Sequence, residues 1–262
     1  MDILHVKNLT KFFGGVKAVQ GIDLTIAQHQ ITGIIGPNGA GKTTFFNLLT
    51  GIYAPSSGEI TYHLAETVGS RQLKPQKMAA YGVARTFQNI RLFKDMTVSD
   101  NVLLGCHCGI HYGLIPSLLR LPPYFQGEDE AREKVAELLT IFNLYDLRDE
   151  KARNLSYGDQ LKVEIARALA SNPKVLLLDE PAAGMNPRET HELTRLIQWI
   201  KDRFQLTIIL IEHDMSLVMN LCDRLYVFDY GHLIAQGTPE QVQQDEKVIQ
   251  AYLGGDYIAK AN

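Results

Sequence analysis

Gly36-Pro37-Asn38-Gly39-Ala40-Gly41-Lys42-Thr43 decides the fold of this 262-residue chain. The apolar run at 30–35 before it reads as a strand and 36–41 as a loop. Residues 43–50 then form a helix closed by Gly51, with Pro55 soon after. In that setting the glycines let successive backbone N–H groups turn inward around a β-phosphate. Lys42 adds a point charge for β- and γ-oxygens, the Thr43 hydroxyl suits a Mg²⁺ ion, and Thr44 covers the α-phosphate. The expected ligand is a nucleoside triphosphate.

A second stretch, Lys174-Val175-Leu176-Leu177-Leu178-Asp179-Glu180-Pro181, is a buried apolar strand ending in two acids. At the carboxyl edge of a parallel sheet ligands gather, and successive strand residues point opposite ways, so the two acids have different tasks. Asp179 is assigned to the metal through its water shell, and Glu180 to the attacking water as general base. Further core strands are expected at 31–35, 175–178, 207–211 and 225–228, apolar almost throughout and so covered on both faces. Residues 3–9 and 22–26 alternate more and predict an antiparallel edge sheet. Helical periodicity dominates between Phe87 and Asn172, with Val135, Leu138, Leu139 and Phe142 on one face and Leu161, Ile165 and Leu169 four apart. The stretch 105–126 lacks a clear period and reads as a loop or broken helix with exposed apolar surface, which usually marks a contact. The fold class is therefore α/β, with a mostly parallel sheet, an antiparallel N-terminal β part and an inserted helical part.

The formal charge of −3 supplies no basic footprint for nucleic acid. Three cysteines suit a reducing compartment, and Cys106-His107-Cys108 with His111 lacks the second ligand pair of a zinc site. Met1-Asp2-Ile3-Leu4-His5 shows no basic stretch followed by an apolar core, and no apolar run approaches the ~20 residues of a membrane span. The expected location is cytosolic, with any membrane role exercised through a partner.

Leu155-Ser156-Tyr157-Gly158-Asp159-Gln160, ahead of a helix at 161–170, resembles the L-S-G-G-Q signature of ATP-binding-cassette (ABC) ATPases. Ser156 is placed to cap that helix with Asp159 three residues on, so its hydroxyl, the Gly158 N–H and the helix dipole form a second anion site. The resemblance implies a phosphate-loop core forming one cassette over 1–262. It further implies a helical subdomain inserted at about 89–170 and a helical tail at 241–262. It implies ATP hydrolysis with ATP and Mg²⁺ as cofactors, and two subunits pairing head to tail. It assigns Phe13 to adenine stacking, Gln88 to Mg²⁺ and water at the hinge to the helical part, and His213 to the γ-phosphate. Asn186 stands where the family usually carries an Asp for cross-subunit contact.

The strings at 83–93, 180–187 and 211–215, with the tail 248–254, are similar to the ATPases of branched-chain amino-acid importers. ATPases of lipopolysaccharide export and urea import share much of this wording. The implied partners are a second ATPase subunit, identical or paralogous, integral-membrane permease subunits reached through 89–96, and indirectly a substrate-binding protein. Nucleic acid is not among them. The implied location is the cytoplasmic face of the inner membrane, as a peripheral subunit. A soluble ABC ATPase acting on nucleic acid or ribosomes is the rival of a different class.

Overall fold

The computed structural model describes the backbone of residues 1–107 and 122–259, and the side chains among these except 123 and 253–259. The described chain falls into two compact units, Met1–Arg85 with Lys174–Asn262, and Thr86–Pro173.

The first unit holds two sheets. Strands β1 (Asp2–Phe13), β2 (Val16–Ala27), β4 (Ser57–His63) and β5 (Thr67–Gly69) form an antiparallel sheet in the order β2-β1-β4-β5. Its long strands run beyond the alternating stretches expected at 3–9 and 22–26, because each continues to the turn that joins the pair. The second sheet has the order β10-β9-β3-β8-β7-β6, from β3 (Ile31–Ile35), β6 (Val83–Arg85), β7 (Val175–Asp179), β8 (Thr207–Ile211), β9 (Arg224–Asp229) and β10 (His232–Gly237). All its pairings are parallel except that of β9 with β10. Every residue of β3, β7 and β8 is buried, which is why these segments read as unbroken apolar runs and not as alternation.

Helix α1 (Lys42–Leu49) follows β3 and buries Phe45, Phe46, Leu48 and Leu49, which join Ile34, Leu177, Ile209 and Phe228 in one core. Helix α2 (Pro75–Tyr81) precedes β6. After β7 comes the amphipathic α6 (Pro187–Phe204), and α7 (Met215–Leu221) follows β8. The tail forms α8 (Pro239–Gln243) and α9 (Glu246–Ala259).

The second unit holds α3 (Val98–Cys106), α4 (Pro122–Ile141) and α5 (Tyr157–Ala170), with short 3-10 turns at Tyr145–Leu147 and Ala152–Asn154 between α4 and α5. Val135, Leu138, Leu139 and Phe142 are buried, as are Leu161, Ile165 and Leu169, so the expected stripes face the unit's interior. Of the loop or broken helix expected at 105–126, both ends are helical. Gly105 and Cys106 finish α3, and helix already runs from Pro122. A proline pair fits a first turn, where the missing N–H leaves no bond unmade. Residues 108–121, with Cys108 and His111, lie outside the described residues. Helix α5 likewise starts at Tyr157 instead of 161, because Ser156 caps it: its Oγ accepts from the Asp159 N–H.

Candidate nucleotide site

Strand β3 ends in the loop 36–41, and backbone shape there depends on glycine. Gly36 has φ 147° and a Cβ would stand 2.0 Å from the Phe228 carbonyl oxygen; Gly41 has φ 100° and a Cβ would stand 2.3 Å from that of Ala18. Any side chain at either position would push the loop off the β2 and β9 backbones, so the concave path of 36–41 is set by local sterics. The Gly231 N–H donates to the Ala40 carbonyl at 3.0 Å, anchoring the loop's far side, while Ala40 N–H returns to Pro37 O at 3.2 Å.

Lys42, buried, turns back over this loop, its Nζ donating to the carbonyls of Gly36 (2.7 Å) and Pro37 (2.9 Å). Burial pulls its ammonium below the ordinary lysine value, while Glu180 and then Asp179 pull it back up. The two acids at the end of β7 thus act electrostatically on the loop lysine. Asn38, Gly39, Thr43 and Thr44 lie on the exposed or half-buried rim of the loop and α1.

Glu180 directly follows β7 and takes a left-handed backbone, φ 49°, a conformation uncommon for a non-glycine residue and typical of strain held at functional sites. Its N–H donates to Ile211 O at 2.9 Å, tying the end of β7 to that of β8. Oε2 of Glu180 lies 3.8 Å from Nδ1 of His213, with the acid 15% and the imidazole 56% exposed. Glu212, buried, bonds the backbone on both sides, its Oε1 accepting from the Ala182 N–H (2.8 Å) and its Oε2 from the backbone N–H of His213 (3.1 Å). Burial pushes the Glu212 carboxyl above the ordinary range, and these backbone donors oppose that. Glu212 therefore fixes the turns that carry both Glu180 and His213.

Asp179 is buried in a pair with Arg85: its Oδ2 accepts from Nη2 at 2.7 Å. Nη1 of the same guanidinium donates to Asn47 Oδ1 (2.8 Å) and Thr50 Oγ1 (3.2 Å) on α1. Sequence reasoning passed over Arg85, Asn47 and Glu212. A signal existed for two of them: a charged residue closing a buried strand (Arg85) or directly following an apolar one (Glu212) demands a partner. The partner's identity lay far along the chain and was not legible.

Phe13 ends β1 about 41% exposed, edge-on to Tyr53 at 5.0 Å between ring centroids, with Lys11 Nζ 5.1 Å from its ring. Its ring is half free, as a stacking platform requires. Asn186, in the loop after β7, caps α6: its Oδ1 accepts from the N–H groups of Arg188 and Glu189, and Glu189 reciprocates to the Asn186 N–H at 2.9 Å.

Gln88, Ser156 and Gly158 belong to the second unit. Gln88 is exposed in the segment after β6. Ser156 is exposed, and its hydroxyl donates to Asp159 Oδ2 at 2.8 Å. Burial alone would raise the Asp159 carboxyl, but bonds from Ser156 and Lys162 hold it below the usual value. Around Gly158 a Cβ would meet no atom within 4 Å, so the start of α5 has open space in front of it.

Among the described residues no group of three His, Cys, Asp or Glu side chains forms a metal cage. Thr43 and Asp179 offer an oxygen set too small for a resident cation. Such a set fits Mg²⁺, which keeps its waters and takes its other ligands from substrate phosphates.

Comparison with known proteins follows the same line. A family model described as ABC transporter matches residues 19–183, and one described as Branched-chain amino acid ATP-binding cassette transporter matches residues 232–258. The chain is 45% identical over 252 residues to the high-affinity branched-chain amino acid transport ATP-binding protein LivG of Salmonella typhimurium, covering 96% of this chain and 98% of that protein. It is 34% identical over 257 residues to the lipopolysaccharide export system ATP-binding protein LptB of Escherichia coli, covering 98% and 99% respectively. The solved structure of an ABC transporter's ATP-binding cassette in its ADP conformation matches with a TM-score of 0.82 at 36% identity, over 97% of this chain and 99% of that one.

Proposed function

Because the chain belongs to the ABC transporter family and is an ATP-binding, ATP-hydrolysing subunit of such a transporter, we propose that it powers import of branched-chain amino acids from the cytoplasmic face of the inner membrane. What supports the cargo is the match of the tail at 232–258 together with 45% identity to an importer ATPase, against 34% to a lipopolysaccharide exporter's. Among the described residues no helix is long and apolar enough to cross a membrane. In this reading the chain acts on integral-membrane permease subunits, through the segment 89–96, and only indirectly on a substrate-binding protein.

The observation that carries the catalytic reading is the gathering of Lys42, Asp179, Glu180 and His213 at the carboxyl edge of β3, β7 and β8. In this reading the 36–41 loop and Thr44 hold the phosphates, and the Lys42 ammonium exchanges its two loop carbonyls for β- and γ-oxygens. Phe13 stacks on adenine. Glu180 takes a proton from the attacking water as its oxygen bonds to the γ-phosphorus. The bond to the β–γ bridging oxygen breaks, releasing ADP and phosphate. His213 donates to the γ-phosphate oxygens and keeps Glu180 oriented. When bound, Mg²⁺ neutralises charge building on the phosphates. Thr43, Gln88 and, through water, Asp179 are the residues that would hold it.

The Ser156 hydroxyl, the Gly158 N–H and the amino end of α5 serve the γ-phosphate bound to a second ATPase subunit, a copy of this chain or a paralogue. ATP favours the closed pair because only there are these contacts made, and a ligand shifts an equilibrium only through such differences. The test is uptake of labelled leucine into vesicles holding this chain and the permease that co-purifies with it. ATP-dependent leucine uptake is expected. Urea uptake without leucine uptake contradicts the cargo, and hydrolysis stimulated by nucleic acid but not by the permease contradicts the transport role.

A further inference from the structure

The metal-side donors of the nucleotide site sit on two separate elements, Thr43 on α1 and Asp179 at the end of β7, and one side chain ties those elements together. Arg85 aligns with Leu177 in the parallel β6–β7 register, so its side chain emerges on the same face as Asp179, two residues further along β7. The guanidinium spans the gap: Nη2 reaches Asp179 Oδ2 at 2.7 Å, and Nη1 reaches Asn47 Oδ1 at 2.8 Å and Thr50 Oγ1 at 3.2 Å. Its carbon lies 5.5 Å from the centroid of the Phe46 ring, and the paired side chains are only 7% and 5% exposed. Asn47 stands four residues after Thr43 on α1, one turn along the same helix face.

Resting on the reading of Asp179 and Thr43 as the metal-side residues, we propose that Asn47 and Arg85 are positioning residues which set the distance between those two donors. Arg85 occupies Oδ2 of Asp179, leaves Oδ1 for the cation's water shell, and fixes that oxygen relative to α1 through Asn47. Only a planar fork serves both ends at once. A lysine ammonium would hold Asp179 or Asn47 as a point charge and leave the other loose. The arrangement is a shell of residues behind the donors, of the kind whose removal weakens metal binding by about 10-fold or more.

The test measures binding of a fluorescent ATP analogue to the full chain, first in EDTA and then against rising Mg²⁺, for the parent, Asn47→Ala, Arg85→Lys and Asp179→Asn. Asn47→Ala and Arg85→Lys are expected to raise the Mg²⁺ concentration for half-maximal enhancement by about 10-fold or more, while affinity in EDTA stays within about 2-fold of the parent. If affinities in EDTA and in Mg²⁺ fall together, or neither moves, Arg85 and Asn47 are structural only and the proposal is overturned. Asn47→Ala leaves the buried ion pair whole, so it decides the matter even if Arg85→Lys does not fold. If Asp179→Asn itself leaves the Mg²⁺ requirement unchanged, the metal reading on which the relay rests is what fails.

Discussion

Oε2 of Glu180 and Nδ1 of His213 stand 3.8 Å apart across the ends of β7 and β8, with the acid on a left-handed backbone and the backbone N–H of His213 donating to buried Glu212. The contact is too long for a strong hydrogen bond and leaves room for either group to turn toward a phosphate. Replacing His213 with Ala is expected to lower ATP turnover by about 100-fold while leaving ATP affinity nearly unchanged. Steady-state phosphate release and equilibrium binding check the two halves of that statement. Equal losses in both would show that His213 merely supports the fold.

Lys42 separates stability from binding. Its ammonium is held over the loop by two carbonyls and pulled below the usual lysine value by burial. Lys42→Met removes a charge that is costly to bury, so the melting temperature without nucleotide is expected to hold or rise. ATP affinity should fall at least about 10-fold, from the loss of charge-assisted bonds to phosphate. The ATP-induced rise in melting temperature, which follows the ratio of ligand concentration to Kd, is the readout and should largely vanish.

Asn186 caps α6 through a reciprocal pair with Glu189. Asn186→Ala should cost about 1 kcal/mol of stability in urea unfolding, the usual value of such a cap. Asn186→Asp should keep or slightly improve it, since a carboxylate at a helix start is favoured by the dipole. A loss as large for Asp as for Ala would refute the capping account.

These residues mark how much was legible beforehand. The 36–43 loop, the apolar strands and the paired acids announce themselves locally, because each depends on spacing within a few residues. The core strands came through with small changes of boundary. Asn186 read only as a departure from a pattern, yet its local chemistry, Asn followed by Pro and then Glu at the third position, is that of a helix start. Arg85 and Asp179 are 94 residues apart, and nothing short-range pairs them. The start of the helix at Pro122 is not legible, since its first turn carries two prolines and aromatic residues without a period, whereas the buried stripe of Ala131, Val135, Leu138 and Leu139 lies further along it.

Glu164 offers a pH test inside the second unit. Its Oε1 accepts from the Arg91 N–H at 3.2 Å and faces Arg167 Nη2 at 3.5 Å. Burial raises its carboxyl above the ordinary value of 4.5, despite the Arg91 N–H and the charge of Arg167. The folded chain then holds that proton more tightly than the unfolded chain. Stability contributed by this group falls as pH rises above 4.5 and levels off past the folded value. Glu164→Gln keeps an acceptor without the charge, and Arg167 retains its 2.7 Å bond to Arg91 O. The variant should be at least as stable as the parent at neutral pH, with the advantage shrinking on acidification. Melting curves across pH check it; an advantage that grows toward low pH has the wrong sign.

The central claim, that Glu180 is the base of an ATP site completed by a second subunit, is met most directly by Glu180→Gln with ATP and Mg²⁺. Phosphate release and molecular mass in solution are read from the same sample. The account predicts turnover reduced by at least about 100-fold and an ATP-dependent dimer that ADP does not support. Near-parental turnover, or a monomer at every ATP concentration that saturates binding, would contradict it.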